Sequence, residues 1–233
     1  MTIKFDHSIY LKVFVKERLS PYGIVQKGQS RTFLLDKGWY VIVIEFQNSG
    51  WSKGTYLNIG VDFNFYPREY YSFSYGYREA DFNTFENEQQ FKAVLIQLCD
   101  ITIKKIHALE KQFSNIPSSI KTLEKVKNID YWRDFDIAIL NALISNFDLS
   151  KQLLNRIIVA QNDRDWEKQR NEKCIEIRSW FESNQNITEN LVNLVNETRS
   201  LKKFPKIDFD SLLKEIQLSS QQETKSTWWK IWN

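Results

Sequence analysis

No stretch of eighteen uncharged apolar residues occurs in this chain of 233, so the sequence predicts no membrane-crossing helix. Glycine (7) and proline (4) are scarce, which predicts long elements with short connections. Two cysteines, Cys99 and Cys174, fall in segments that read as helical, with no Cys or His at ligand spacing. Each is expected to be a buried free thiol rather than a disulfide or metal partner. The two histidines, His7 and His107, also lie in separate helical segments without a carboxylate or cysteine at ligand spacing, and are expected to be surface or packing residues. Glycine-rich dinucleotide and phosphate loops, the serine nucleophile elbow and the HExxH zinc motif are all missing. That removes the commonest hydrolases and transferases and gives no cofactor and no metal to expect. The opening Met1 to His7 lacks a basic stretch followed by an apolar run, so the expected address is the cytoplasm. Charge of neither sign dominates: 32 basic residues against 29 acidic give +3, too even for binding nucleic acid or a membrane by bulk electrostatics.

Aromatics are what the chain has in excess. Sixteen Phe, ten Tyr and eight Trp make 15% of the residues, and such side chains build a core with few aliphatics. The length favours one or two domains. Asp6 or Ser8 can cap a first helix with Ile9, Val13 and Phe14 on its apolar face, stopping near Ser20-Pro21. Strands follow. Arg31 to Asp36 is short, and Trp39 to Gln47 is apolar on both faces through its middle, as a central strand is. Thr55 to Phe65 alternates, with Leu57, Ile59, Val61, Phe63 and Phe65 on one side and Asn58, Gly60, Asp62 and Asn64 on the other. Tyr70 to Tyr77 repeats that period with aromatics. Short loops between these runs predict an antiparallel meander of about four strands.

From Asn83 the period becomes helical. Asn83 and Glu86 have capping-box spacing for a helix reaching about Phe113. Helices are then expected from Ser118 or Ser119 to Lys127, Tyr131 to Ser145, Ser150 to Asn162, Asp165 to Ser183, Ile187 to Leu201 and Asp208 to Leu218. The expected class is α+β, a β-meander packed by helices and followed by a helical C-terminal region. It divides into residues 1–145, a helical extension 146–218, and a connector with a Trp-rich tail 219–233.

A strand ending Phe46-Gln47-Asn48-Ser49, a short loop, and then Tyr56-Leu57-Asn58-Ile59-Gly60-Val61 carry a resemblance to a known family. Residues from about Leu19 to Arg78 resemble the bacterial domain of unknown function 4304, and the likeness extends over roughly residues 1–145. The resemblance implies a helix, a β-meander and further helices. No activity, cofactor or partner comes with it.

Two features stand out as candidate sites. On the sheet, Glu45 and Gln47 share a face of the central strand, and Asn58, Asp62 and Asn64 lie on the polar face of its neighbour, with Arg31 and Arg78 able to complete the patch. It reads either as a ligand or partner site or as a solvated sheet face. At the end of the chain, Trp228, Trp229, Ile231 and Trp232 would be costly left in water, so they fold back on the body or enter another molecule. The run Tyr66 to Arg78 could stack single-stranded bases, yet its period of two is also that of cross-strand packing, and nucleic acid is not expected as a partner. The expected function is therefore a non-enzymatic protein–protein interaction protein, of a bacterial accessory or immunity type, with a protein partner or self-association. The alternatives are an enzyme or small-ligand binder with Glu45 and Asp62 as acid/base groups or metal ligands, and a nucleic-acid-binding module.

Overall fold

The structure, a computed structural model, describes residues 7–49, 53–127, 130–160, 163–183 and 186–208. It is an α+β protein, with a five-stranded antiparallel sheet followed mostly by helices. The chain forms two compact units: Met1–Phe63 with Tyr70–Lys111, and Asn64–Glu69 with Gln112–Asn233.

In the first unit, α1 (His7–Tyr10) and α2 (Lys16–Leu19) are joined by a π turn, Leu11–Val15. That turn resets the helical phase. Leu11, Val15 and Leu19 are the buried residues, while Ile9 and Val13 of the expected apolar face are 55% and 52% exposed. Pro21 sits in the 3-10 turn Ser20–Tyr22, and Gly23 at φ +75° reverses the chain. The strands are β1 (Val25–Gln26), β2 (Thr32–Asp36), β3 (Tyr40–Asn48), β4 (Gly54–Phe63) and β5 (Tyr75–Thr84), in that spatial order. Strand β1 was not foreseen; two residues are too short to show a period. Strand β3 is central, and Val41 to Ile44 are buried on both faces.

Strand β5 starts later than the aromatic alternation suggested. Residues Tyr70 to Ser74 are loop, and the reason is visible at Gly60. A Cβ there would stand 2.5 Å from Cδ1 of Phe73 and 2.4 Å from the carbonyl oxygen of Tyr75. The period of two therefore reflects a loop seated on the sheet, not a strand within it. Beyond Tyr77, β5 pairs with β4 through two register shifts, between Thr55 and Leu57 and between Leu57 and Asn58. Such bulges erase the alternation that would have marked the strand.

Helix α3 (Glu88–Gln112) begins after β5 has used Asn83 and Thr84. Its cap is Asn87, whose Oδ1 accepts from the Gln90 N–H at 3.0 Å, while Oε1 of Gln90 accepts from the Glu86 N–H at 2.7 Å. Phe91, Leu95, Leu98, Cys99, Thr102, Ile106 and Leu109 form its buried side. Lys105 of this helix pairs with Glu79 of β5.

The second unit is helical: α4 (Ile116–Glu124), α5 (Tyr131–Leu143), α6 (Phe147–Ile158), α7 (Asp165–Glu182) and α8 (Ile187–Leu201). Pro117 lies inside the first turn of α4, where its missing N–H costs nothing, and Asn115 caps it by accepting from Ser118 at 2.8 Å. Helix α5 is buried from Arg133 to Leu143, so it is the hub against which α4, α6 and α8 pack. Among its buried polar residues, Oδ1 of Asp134 pairs with Arg156, and Asn141 donates to the Ile137 carbonyl at 2.8 Å. Helices α6 and α7 pack against each other. The expected helix Asp208 to Leu218, beyond its first residue, and the Trp-rich tail lie outside the described residues.

Candidate functional site

The face of the sheet opposite Ile42, Ile44, Leu57 and Ile59 has two halves. Register places Val41, Val43, Glu45 and Gln47 of β3 opposite Asp62, Gly60, Asn58 and Tyr56 of β4. Arg78 of β5 is opposite Asn58. Over the Val41–Asp62 half lies the Tyr70–Ser74 loop. Asp62 is 0% exposed, and its carboxylate accepts from the Ser72 N–H at 3.2 Å and the Ser72 hydroxyl at 3.4 Å. Phe73 covers Gly60, and Lys27 stands 4.5 Å from the centre of the Tyr71 ring.

The other half carries a hydrogen-bonded cluster. Nδ2 of Asn58 donates to Oε2 of Glu45 at 2.8 Å and to Oε1 of Gln47 at 3.1 Å. Nε of Arg78 donates to Oδ1 of Asn58 at 3.3 Å, and Nη2 of Arg78 donates to Oε1 of Gln47 at 3.0 Å. The guanidinium lies 3.8 Å from the ring centre of Tyr56 and 5.8 Å from that of Tyr77, which is 67% exposed. Gln47 is exposed, Glu45, Tyr56 and Arg78 are half-buried, and Asn58 is buried. The amide of Asn58 thus orients both charged neighbours, its nitrogen facing Glu45 and its oxygen facing Arg78.

Of the residues singled out from sequence, Glu45, Gln47, Asn58 and Arg78 come together. Asp62 shares their face but is four positions along the strand from Asn58, about 13 Å at the usual rise, and is engaged by Ser72. Asn64 belongs to the second unit, where it accepts from the buried Nζ of Lys202 at 3.0 Å. Arg31 places its carbonyl against the Phe46 N–H at 3.0 Å and is not among the partners of the Asn58 cluster. Trp228, Trp229, Ile231 and Trp232 lie outside the described residues. Tyr56 was missed, although the alternation that grouped Asn58 with Asp62 puts Tyr56 on the same side.

Comparison of the chain with protein-family models, with curated proteins and with solved structures found no match.

Among the described residues no three His, Cys, Asp or Glu side chains are grouped to hold a metal ion, and no helix is long and apolar enough to cross a membrane. His107 packs edge-on against Tyr22, with ring centres 6.0 Å apart. Cys99 and Cys174 are buried free thiols, and burial pushes each up to about 12. In the second unit, sequence reading gave no warning of the buried Arg170, whose guanidinium lies 5.3 to 5.6 Å from the ring centres of Tyr131, Trp132 and Trp166. The rings of Trp132 and Trp166 stack at 6.2 Å and 18°. The arginine, four residues beyond Trp166, was the available signal.

Proposed function

We propose that this chain is a non-enzymatic protein–protein interaction protein, of a bacterial accessory or immunity type, that meets its partner on the open half of the sheet face. One observation carries the reading. Arg78 is held over Tyr56 by two amide oxygens, at 3.0 and 3.3 Å, on an accessible surface beside the exposed Tyr77. Arginine and tyrosine are the residues that most often dominate binding energy at interfaces, and an arginine already fixed in position loses little entropy when a partner arrives. The separation of Asp62 from Glu45 supports binding over a two-carboxylate acid/base mechanism, which needs both groups at one reacting centre.

The likeness to domain of unknown function 4304 is part of this proposal for the amino-terminal region. In its support, the two segments that carry the likeness are adjacent strands, with Gln47 opposite Tyr56. Trp228, Trp229, Ile231 and Trp232 complete the proposal as a second docking element. The test is a photo-crosslinker in place of the exposed Tyr77, introduced in the native host. A product identified by mass spectrometry, lost on Arg78→Ala and rebuilt from two purified proteins supports the reading. Crosslinks that persist unchanged in Arg78→Ala overturn it. Deleting residues 228–233 asks separately whether the tail adds affinity.

A further inference from the structure

The guanidinium of Arg78 has five N–H donors, and the cluster occupies one edge of the fork. The Nε and Nη2 donors on that edge face Asn58 and Gln47. Both acceptors are neutral amides, and no carboxylate of the described residues forms an ion pair with Arg78. The end-on edge, Nη1 with the second Nη2 hydrogen, is left over. Two parallel N–H donors in a plane match the two oxygens of a carboxylate. The nearest acid, Glu45, is held off by the Asn58 amide that lies between them, and its Oε1 has no partner among the described residues. Glu45 and Arg78 stand on strands two apart, with only β4 between them, so their backbones are about 10 Å apart.

We propose that Arg78 is a receptor for one carboxylate, supplied by an Asp or Glu side chain of the protein partner, with Glu45 accepting a hydrogen bond from a donor about 10 Å away on the same partner. This rests on the interaction reading above and names its chemistry. Charge selects a carboxylate over a phosphate. The site's cation and the carboxylate across the Asn58 amide already cancel, so a monoanion brings one net negative charge and a dianion two, the second of which finds no cation to meet it. The ring of Tyr56 under the guanidinium excludes water from one side and strengthens the pair on the other.

The experiment uses the full chain and capped pentapeptides carrying a single Asp or Glu, with Asn or Gln at the same place as controls. Arg78 Nε–H and Asn58 side-chain resonances are followed by NMR. The acidic peptides are expected to shift these signals and to bind about tenfold more tightly than their amide controls, the size of one charge-assisted bidentate pair. Arg78→Gln is expected to abolish the difference. Arg78→Lys, which keeps the charge but not the fork, is expected to lose most of it. Equal binding of acid and amide peptides overturns the carboxylate assignment, and so does tighter binding of inorganic phosphate or of a short oligonucleotide. If the crosslinked partner is still captured through Arg78 in either of those cases, the interaction reading stands and only its chemistry is wrong.

Discussion

The backbone N–H of Ser72 donates to the carboxylate of Asp62 at 3.2 Å, so the loop that crosses the sheet is tied to the strand beneath it by a fully buried acid. A buried carboxylate that loses its hydrogen bonds is costly, and so is a donor left facing a void. Asp62→Ala is expected to cost about 1–3 kcal/mol and to raise hydrogen exchange across Tyr70 to Ser74. Denaturant titration and exchange on the same sample check it. A loop that stays protected while stability is unchanged shows that Phe73 alone seats it.

Gly60 is the second fastening of that loop. A methyl group there meets a backbone oxygen at 2.4 Å as well as the Phe73 ring at 2.5 Å, so a side-chain rotation cannot relieve both. Gly60→Ala is expected to cost about 1–3 kcal/mol, typical of overpacking. At Gly54 the three atoms a methyl would meet first all belong to the Phe82 ring, the nearest at 2.2 Å. Gly54→Ala is the matched comparison and is expected to be milder. Equal losses in thermal unfolding would contradict the account.

Just beyond helix α5 Ser145 stands at φ +62°, and the Asn146 N–H returns to the Asn141 carbonyl at 2.9 Å. An L-residue in the left-handed region is strained, and glycine relieves that strain while adding freedom to the unfolded chain. Ser145→Gly is expected to stabilise by about 0.5–1 kcal/mol, and Ser145→Val to destabilise. Their order in urea midpoint decides the matter.

Cys99 and Cys174 both hold their protons up to about 12, against an ordinary 9.0, because burial disfavours the thiolate. The folded chain keeps two protons that the unfolded chain loses first. This contribution to stability is complete below pH 9 and is lost as pH climbs from 9 toward 12. A disulfide reagent at pH 8 is expected to label neither cysteine in the folded protein and both in guanidinium. Fast labelling of the native chain at pH 8 would refute the burial of that thiol.

Patterning made β3, β4 and the helix Ile187–Leu201 legible in the sequence, because each follows one rule along its length. The apolar face of the first helical segment was not legible, since a π turn moves burial from Ile9 and Val13 to Leu11, Val15 and Leu19. Likewise the strict alternation of Tyr71, Phe73 and Tyr75 could not tell a strand from a loop laid on one. What decides it is Gly60, thirteen residues before Phe73. The company kept by Glu45, Gln47, Asn58 and Arg78 was readable from strand parity. The capture of Asp62 by Ser72 was not, because it depends on where that loop comes to rest.

Every strand of the sheet pairs with the strand next to it in the chain, yet the connection from β4 to β5 carries Asn64–Glu69, which clusters with the second unit. During synthesis the two parts of that connection have different waiting times. Strand pairing needs only short loops to close and proceeds as soon as β5 is made. The connection must wait for Trp132 to meet Tyr66, and for Lys202 to reach Asn64 across 138 positions. A ribosome paused between these points carries a paired sheet whose fourth-to-fifth connection is still open to the chaperones and proteases around it, and Lys202, at the end of α8, is among the residues that close it.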